Sequence, residues 1–337
     1  MRYLISLIYL CCVSLATAQD WEEQATFEGT GNGPTLRILS STDVSVFAPV
    51  IDSFQDSYPN VHIEYLVTGT ADLDRQFRNS PQHYDVVISS AMDLQLKLAN
   101  DGFALRLNDI QHDSWAQWRN SVFAFTAEPA AIVINQNALQ GNPPPRTRQD
   151  LIDMLRANPD LFRGKVATYD VRSSGLGYLF ATQDARASET YWRLTEVMGS
   201  LNARLYCCSG EMLDDLISGK ILVAYNVLGS YALAREGLDD QISIILPSAF
   251  PTMMMRTALA SKQTDRPAIA EAFIHHLTQL RFSGLSDQHF PLPHLPDSRV
   301  SDGHAVIPLE PALITYLDTL KRRTFIREWE SAIIHTP

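Results

Sequence analysis

The sequence predicts a two-lobed α/β protein with mixed, mostly parallel sheets. Short apolar segments typical of strands alternate with segments whose apolar residues recur at helical spacing. The strand-to-helix loops are only two to four residues long, which implies parallel strands joined by right-handed crossovers. At 337 residues, the chain also exceeds the size at which one hydrophobic core keeps growing, so two domains are expected.

The first unit has the order β-α-β-α-β. Its first helix ends before Pro59, and Thr42 or Asp43 is a suitable N-cap. One face of that helix carries Phe47, Val50, Ile51, Phe54 and Tyr58. The predicted strands cover residues 36–39, 61–67 and 85–88, and two further helices cover residues 71–78 and 91–100.

The second unit repeats the alternation of strand and helix. We predict strands at residues 130–134, 165–169, 201–206 and 221–225, with helices at residues 148–156, 178–183, 210–217 and 229–235. Strands at residues 241–246 and 253–261 lead back to the first unit, and helices follow at residues 266–281 and 311–334. The chain therefore crosses between the units twice, near residues 128–131 and 247–251.

These crossings predict the domain boundaries. Residues 35–128 and about 250–300 form lobe 1, residues 129–249 form lobe 2, and residues 301–337 form a C-terminal helical segment that packs on the lobes. Residues 19–34 are polar and rich in glycine and lack periodicity, so we expect a flexible N-terminus.

The first 18 residues have the pattern of a secretory signal peptide. Arg2 precedes an apolar run over residues 3–15, and Ala16-Thr17-Ala18 is a small-x-small cleavage site. The run is shorter than the roughly 20 residues that a membrane-spanning helix needs. We therefore expect cleavage after Ala18 and export to the periplasm.

The composition and motifs exclude several function classes. A formal charge of −11 argues against binding to nucleic acid or to anionic lipid. The sequence has no G-x-S-x-G elbow, Walker A loop or H-E-x-x-H motif. His275 and His276 are adjacent on a predicted helix and point in different directions. We predict neither an enzyme, nor a metal site, nor a cofactor.

Cys207 and Cys208 are the cysteines that remain after cleavage of the signal peptide. Consecutive Cα atoms lie about 3.8 Å apart, below the usual range for a disulfide. An oxidising compartment still permits a vicinal disulfide. Two thiols packed in the core are the alternative.

Four loops between a strand and a helix are rich in hydroxyl groups and glycine. They are Ser40-Ser41-Thr42, Thr68-Gly69-Thr70, Ser89-Ser90 and Ser173-Ser174-Gly175. The first turn of a helix leaves N–H groups unpaired and attracts phosphate or carboxylate, and hydroxyl groups add neutral donors. The loops predict an anion site at the carboxyl ends of the strands. The alternative is that these residues only cap helices, and Arg172 either pairs with the anion or is a surface arginine.

Longer segments resemble a known family. The runs LRILSSTDVSVFAPVIDSFQDSYPNVHIEYLVTGT, YDVVISSAMDLQLKLANDG, KVATYDVRSSGLGYLFATQD and GKILVAYNVLGSYALA resemble type II periplasmic binding proteins, in the branch related to ferric-iron binders. The resemblance covers roughly residues 36–329 and includes the tail IPLEPALITYLDTLKRRTFIREW. It implies two α/β lobes, joined by two crossing strands, with a ligand cleft between them.

One departure from the iron binders is informative. Those proteins carry two neighbouring tyrosines at the place where this chain has Asn226-Val227-Leu228-Gly229-Ser230-Tyr231. The variant is similar to binders of phosphorylated sugars and organic acids, and to the phosphoglycerate transport regulatory protein. The resemblance therefore implies a small anionic ligand without direct iron ligation. Together with the loops, it predicts ligand contacts at Ser41, Thr42, Gly69, Thr70, Ser90, Arg172, Ser173, Ser174, Gly175, Tyr225, Asn226 and Ser230.

The resemblance also implies the partners. We expect a monomer that closes around its ligand and presents it to the inner-membrane permease of an ABC transporter. The alternatives are an accessory protein of a two-component sensor kinase, a binder of ferric iron with an anion, and an enzyme on the same fold. For the last, Cys207 or Asp170 would have to act without an evident partner in the sequence.

Overall fold

A computed structural model describes residues 21–235, 241–248, 252–280, 292–301 and 304–334. The predicted signal peptide and part of the second predicted crossing lie outside the described residues. Within the described ranges, no helix is long and apolar enough to cross a membrane.

Strands and helices alternate along most of the described chain. The strands are β1 (Glu23–Phe27), β2 (Thr35–Ser40), β3 (His62–Val67), β4 (Val86–Ser89), β5 (Gln117–Trp118), β6 (Val122–Ala124), β7 (Glu128–Asn135), β8 (Val166–Tyr169), β9 (Arg204–Tyr206), β10 (Val223–Leu228), β11 (Ile242–Ile245), β12 (Met253–Met254), β13 (Thr257–Ala260), β14 (Val300–Ser301) and β15 (His304–Ala305). The helices are α1 (Val44–Ser57), α2 (Thr70–Asn79), α3 (Met92–Asn100), α4 (Arg148–Ala157), α5 (Pro159–Phe162), α6 (Gly175–Ala187), α7 (Thr190–Ser200), α8 (Ser209–Ile217), α9 (Gly229–Leu233), α10 (Pro267–Gln279) and α11 (Thr319–Ile333). Short 3-10 helices cover Pro81–His83, Gln136–Leu139 and Pro311–Leu317.

The first sheet has seven strands in the order β1-β3-β2-β4-β13-β6-β5. Strands β3, β2 and β4 are parallel neighbours, as the short crossovers predict. Helix α1 packs on this sheet through Phe47, Val50, Ile51 and Phe54, all fully buried, whereas Tyr58 lies at the helix end and is partly exposed.

Strand β1 corrects the expectation of a flexible N-terminus over residues 19–34. It pairs antiparallel with β3, with Glu23 opposite Val67 and Phe27 opposite Ile63. Burial alternates along β1, as expected for an edge strand with one face packed against the protein. The segment is too polar to show an apolar run, which is why the sequence pattern missed it.

The second sheet is built from β11-β7-β10-β8-β9, and β12 pairs with the start of β7. Strand β7 follows β6 of the first sheet after only three residues, and β12 precedes β13 of the first sheet. Met253 and Met254 lie antiparallel to Pro129 and Glu128. The two connections between the sheets therefore run side by side.

Three local features refine the predicted elements. Thr147 caps α4 in a capping box with Asp150, which confirms Arg148 as the start of that helix. The predicted helix over 311–334 is divided at Asp318, whose carboxylate accepts from the amides of Leu320 and Lys321. Strand β10 does not end at residue 225 but continues to Leu228 through a bulge at Asn226.

Candidate functional site

A cavity of about 370 Å³ lies where loops of the two sheets face each other. The first sheet contributes the loops after β2, β3 and β4, and the second contributes the loops after β8 and β9. Five residues that the sequence predicts as ligand contacts line it, namely Ser41, Gly69, Thr70, Ser90 and Ser174.

The parallel order of β3, β2 and β4 brings the first three loops together, because parallel strands end at the same edge of a sheet. The Ser90 amide donates to the Ser41 hydroxyl over 3.3 Å, and the Ser41 amide donates to the carbonyl of Ile88 over 3.0 Å. These two hydrogen bonds thus link the carboxyl ends of strands β2 and β4 at the cavity wall.

Hydrogen bonds join the lobes on either side of the cavity. The Leu176 amide, in the first turn of α6, donates to the Thr70 hydroxyl over 3.1 Å. The Tyr231 hydroxyl on α9 donates to Asp43 over 2.8 Å. The lobes can lie this close only because residue 175 is a glycine, since a Cβ atom there would lie 2.8 Å from the Leu94 side chain. The lobes are therefore in contact around the cavity.

The cavity wall is acidic. Among the residues that the structure describes, four carboxylates line it, those of Glu22, Asp43, Glu211 and Asp214, together with one guanidinium, that of Arg235. Arg235 pairs with Asp214 over 2.7 Å. A ligand that binds here meets carboxylate acceptors as well as hydroxyl and amide donors.

Glu22 and Glu23 bring two carboxylates to the helix N-termini beside the cavity. Glu22 accepts from the amide of Gly69, directly before α2, and Glu23 accepts from the amide of Val44 over 2.7 Å at the start of α1. Burial of the carboxyl group and the nearby charges of Asp43, Asp72 and Glu211 raise the pKa of Glu22. Two of the anion positions predicted from helix N-termini are thus taken by the chain's own side chains.

Four predicted contacts in or beside the hydroxyl-rich loops do not line the cavity, namely Thr42, Arg172, Ser173 and Gly175. Thr42 is buried beneath the cavity, where its hydroxyl accepts from Arg256. Arg172 is held by Asp170 and reaches Glu330 over 3.4 Å, and it is not part of the cavity wall. Ser173 is exposed. The arginine has carboxylate partners at Asp170 and at Glu330 on α11, so it is not oriented toward the cavity.

Tyr225 and Asn226 form a buried polar network within the second lobe. The Tyr225 hydroxyl donates to Asp184 over 2.7 Å and accepts from Arg148 over 2.6 Å. The Asn226 amide group donates to the same carboxylate over 2.9 Å, and Thr252 donates to it from the second connection between the sheets. Arg148 also pairs directly with Asp184. Neither predicted contact lines the cavity.

Ser230 belongs to a second buried network, at the connections between the sheets. Its hydroxyl donates to Glu128, which pairs with Arg256 over 2.9 Å, and both charged side chains are fully buried. Thr126 donates to the same carboxylate over 2.7 Å. The sequence could not indicate this pair, because Glu128 and Arg256 lie 128 residues apart.

Cys207 and Cys208 form a vicinal disulfide, one of the two alternatives left open by the sequence. Both residues line the cavity, and Cys208 is the N-cap residue of α8. In the described part of the chain, no group of three or more His, Cys, Asp or Glu side chains is arranged to hold a metal ion.

Comparisons with known proteins give structural matches. A substrate-binding protein of an ABC transporter from Agrobacterium tumefaciens is 28% identical, with a TM-score of 0.85, over 92% of this chain and 98% of its own. The periplasmic binding protein AfuA from Actinobacillus pleuropneumoniae, with fructose-6-phosphate bound, is 14% identical, with a TM-score of 0.68, over 89% of this chain and 98% of its own. A two-component system protein that mediates signal transduction is 15% identical, with a TM-score of 0.63, over 87% of this chain and 99% of its own. No family model and no curated protein matches the sequence.

These matches confirm the fold class expected from the sequence, a two-lobed α/β fold of the periplasmic binding protein type. They span almost the whole of the matched chains, so the similarity is one of the complete architecture and not of a single lobe.

Proposed function

We propose that this chain is a type II periplasmic substrate-binding protein of an ABC transporter, which captures a small anionic metabolite in the interlobe cavity and presents it to a membrane permease. The observation that carries the proposal is the convergence of the hydroxyl groups of Ser41, Thr70, Ser90 and Ser174 on one cavity from both lobes. Hydroxyl groups and amides of this kind hold phosphate or carboxylate without a metal.

The carboxylates of the wall narrow the ligand class. A dicarboxylate without hydroxyl groups would place its negative charge beside the carboxylates of Glu22, Asp43 and Glu211, and it could donate no hydrogen bond to them. A phosphorylated sugar or a phosphoglycerate also carries hydroxyl groups, which donate to such carboxylates. The wall therefore favours a ligand with an anionic head and a hydroxylated body.

Binding is coupled to closure of the lobes. The bonds from Leu176 to Thr70 and from Tyr231 to Asp43 cross the cleft, so they form only when the lobes meet. The paired segments of β7 and β12 lie where the chain passes between the sheets and are suited to act as the hinge. A ligand that contacts both lobes stabilises the closed form by its additional contacts there.

A signalling role is the second candidate, and the similarity to a two-component system protein favours it. The same closed form would then be recognised by the periplasmic domain of a sensor kinase. Gene neighbourhood separates the two roles: adjacent permease and ATPase genes support transport, whereas an adjacent kinase and response regulator support signalling.

A ferric-iron site has weaker support. Burial raises the pKa of Tyr231 well above its ordinary value, and its hydroxyl is engaged by Asp43, so the phenol is held in the protonated form that ligates iron poorly. Tyr225 is enclosed with Arg148 and Asp184. Of the two residues considered for an enzyme on this fold, Asp170 is held by Arg172 outside the cavity wall, and Cys207 is bonded to Cys208.

Thermal unfolding of the mature protein with a matched set of compounds tests the proposal. The set is fructose 6-phosphate, fructose, 3-phosphoglycerate, succinate and inorganic phosphate. We expect stabilisation by the first and third compounds, weaker stabilisation by inorganic phosphate, and none by fructose, which lacks the anion. Stabilisation by fructose alone, or by no member of the set, would count against an anionic ligand.

A further inference from the structure

The disulfide between Cys207 and Cys208 closes almost no length of chain. A disulfide stabilises a fold mainly by restricting the unfolded chain, and this effect grows with the number of residues in the closed loop. The two cysteines are adjacent, so the restriction is minimal. The bond therefore adds little to the free energy of unfolding.

The bond lies in the wall of the ligand cavity. Cys207 and Cys208 stand between β9 and α8, opposite the loops of the first lobe that carry Ser41 and Gly69. The next residue, Ser209, is buried and hydrogen-bonded to Tyr169, and its hydroxyl accepts from the Leu228 amide over 3.2 Å. The turn is anchored on one side, and the disulfide forms its face toward the cavity.

In the oxidised state, the two sulfur atoms form a rigid, polarisable surface with no hydrogen-bond donor. Leu176 and Leu228 line the same cavity. The disulfide and these two leucines thus form an apolar patch in the wall of the second lobe, beside the polar groups of Ser174 and Glu211. An anionic metabolite with a hydrocarbon face matches this division, because its C–H surface can pack on the sulfur atoms.

The bond is also accessible to small reductants. Cys207 is exposed and Cys208 is half-buried, and the cavity opens to solvent. Exposed disulfides are the ones that exchange readily with external thiols. In the reduced protein, the Cys207 sulfur would be a donor at 3.7 Å from a Glu211 carboxylate oxygen, so the wall would change from a closed ring to two rotatable polar groups.

We propose that the Cys207–Cys208 disulfide is a redox-sensitive part of the ligand site, which binds tightly when oxidised and weakly when reduced. This inference rests on the proposed function, since it concerns the same cavity. The reaction is exchange with a dithiol. One thiolate of the dithiol attacks one sulfur and forms a mixed disulfide, and its second thiol releases the protein. The dithiol loses two electrons and two protons, and these convert the disulfide to two thiols.

Titration calorimetry with fructose 6-phosphate tests the proposal on the mature protein in the oxidised state and after reduction with dithiothreitol. Ordering two freed side chains on binding weakens affinity by roughly tenfold or more. The same loss is expected for the double variant C207S/C208S, which carries no disulfide. Reoxidation of the wild-type protein should restore the original Kd.

Two controls separate a loss of contact from a loss of fold. The melting temperature should change little on reduction, because the closed loop is so short. Dithiothreitol should have no effect on the double variant, which lacks its target. Equal Kd values for the oxidised and reduced proteins would overturn the proposal, and so would a melting temperature that falls enough to explain the loss.

Failure of the proposed function gives a different result. If fructose 6-phosphate binds neither state, the assigned ligand class is wrong, and the redox inference is then decided by labelling. Iodoacetamide should modify two cysteines in the folded, dithiothreitol-treated protein, as shown by mass spectrometry. A disulfide that resists reduction until the protein unfolds would overturn the inference in that case.

Discussion

Two groups of polar residues in this protein resemble each other in sequence but differ in what they contact. Ser41, Thr70 and Ser90 follow strands of the first lobe and face the cavity. Tyr225 and Asn226 lie within strand β10 of the second lobe and Ser230 follows it, and all three are buried in networks with Asp184 and Glu128. Both groups were predicted as ligand contacts, and the structure brings only the first of them to the cavity.

The difference arises from how each strand ends. Strands β2, β3 and β4 stop at the sheet edge, so the next residue is presented to the cleft. Strand β10 instead continues through a bulge at Asn226, whose φ of 64° turns its side chain toward Asp184. Buried polar groups of this kind must be paired, and they contribute to stability rather than to recognition. The comparison makes predictions that separate stability from binding.

The largest effect is expected for Arg256→Met. The change leaves Glu128 fully buried without its cationic partner, which costs about 3–5 kcal/mol of unfolding free energy. Urea unfolding followed by tryptophan fluorescence measures the loss. Arg75→Met is the matched control, because it breaks an exposed pair with Asp72 and should cost at most about 1 kcal/mol. If Arg256→Met lowers the unfolding free energy as little as Arg75→Met does, buried Glu128 does not need its cationic partner.

The second effect depends on pH and concerns Asp93, which is buried on α3. Burial raises the pKa of Asp93 from 3.8 to about 7, although hydrogen bonds from backbone amides oppose the shift. The folded state retains this proton more strongly than the unfolded state. The contribution to stability is therefore complete below about pH 4 and is lost as the pH rises through about 7.

Asp93→Asn removes this dependence. At pH 8, we expect the variant to be more stable than the wild type by about 2–4 kcal/mol, with little difference near pH 4. Urea unfolding at both pH values provides the measurement, and Asp160→Asn, at an exposed position of α5, is the control. A variant that is less stable than the wild type at pH 8 would contradict a protonated Asp93 in the folded protein.

A smaller effect is expected for Tyr225→Phe. The lost hydroxyl serves both Arg148 and Asp184, so the unfolding free energy should fall by about 1–2 kcal/mol. The affinity for fructose 6-phosphate should not change, because Tyr225 does not line the cavity. A large loss of affinity with an unchanged unfolding free energy would indicate that Tyr225 contacts the ligand.

The smallest effect on stability is expected for Ser41→Ala, which should instead weaken the binding of fructose 6-phosphate by about tenfold. Its unfolding free energy should stay within about 0.5 kcal/mol of the wild type. Ser173→Ala, at an exposed position of the loop before α6, should change neither the affinity nor the unfolding free energy. Calorimetric titration and urea unfolding of the two variants, done in parallel, would show whether the cavity group differs from Ser173 in binding alone.

Much of the first lobe follows from local pattern. Helical spacing of Phe47, Val50 and Phe54 and short loops between apolar strands are sufficient to predict parallel strands and their common edge. The positions of Ser41, Thr70 and Ser90 then follow, because their place at a strand end depends only on neighbouring residues. Strand β1 was not predicted, since its pairing with β3 depends on a partner distant in the chain. Helix α7 was not predicted either, although its buried residues Tyr191, Leu194 and Met198 lie at helical spacing.

The sequence by itself determined the two-lobed class, the order of most strands and helices, and the hydroxyl-rich loops at the strand ends. The tertiary structure decided which polar groups remain available to a ligand. Tyr225 and Ser230 are engaged by Asp184 and Glu128, which lie 41 and 102 residues away in the chain, so these contacts depend on the folding of distant segments against one another. Periodicity reports local burial, whereas a charge pair such as Glu128–Arg256, 128 residues apart, is formed only when distant segments fold together.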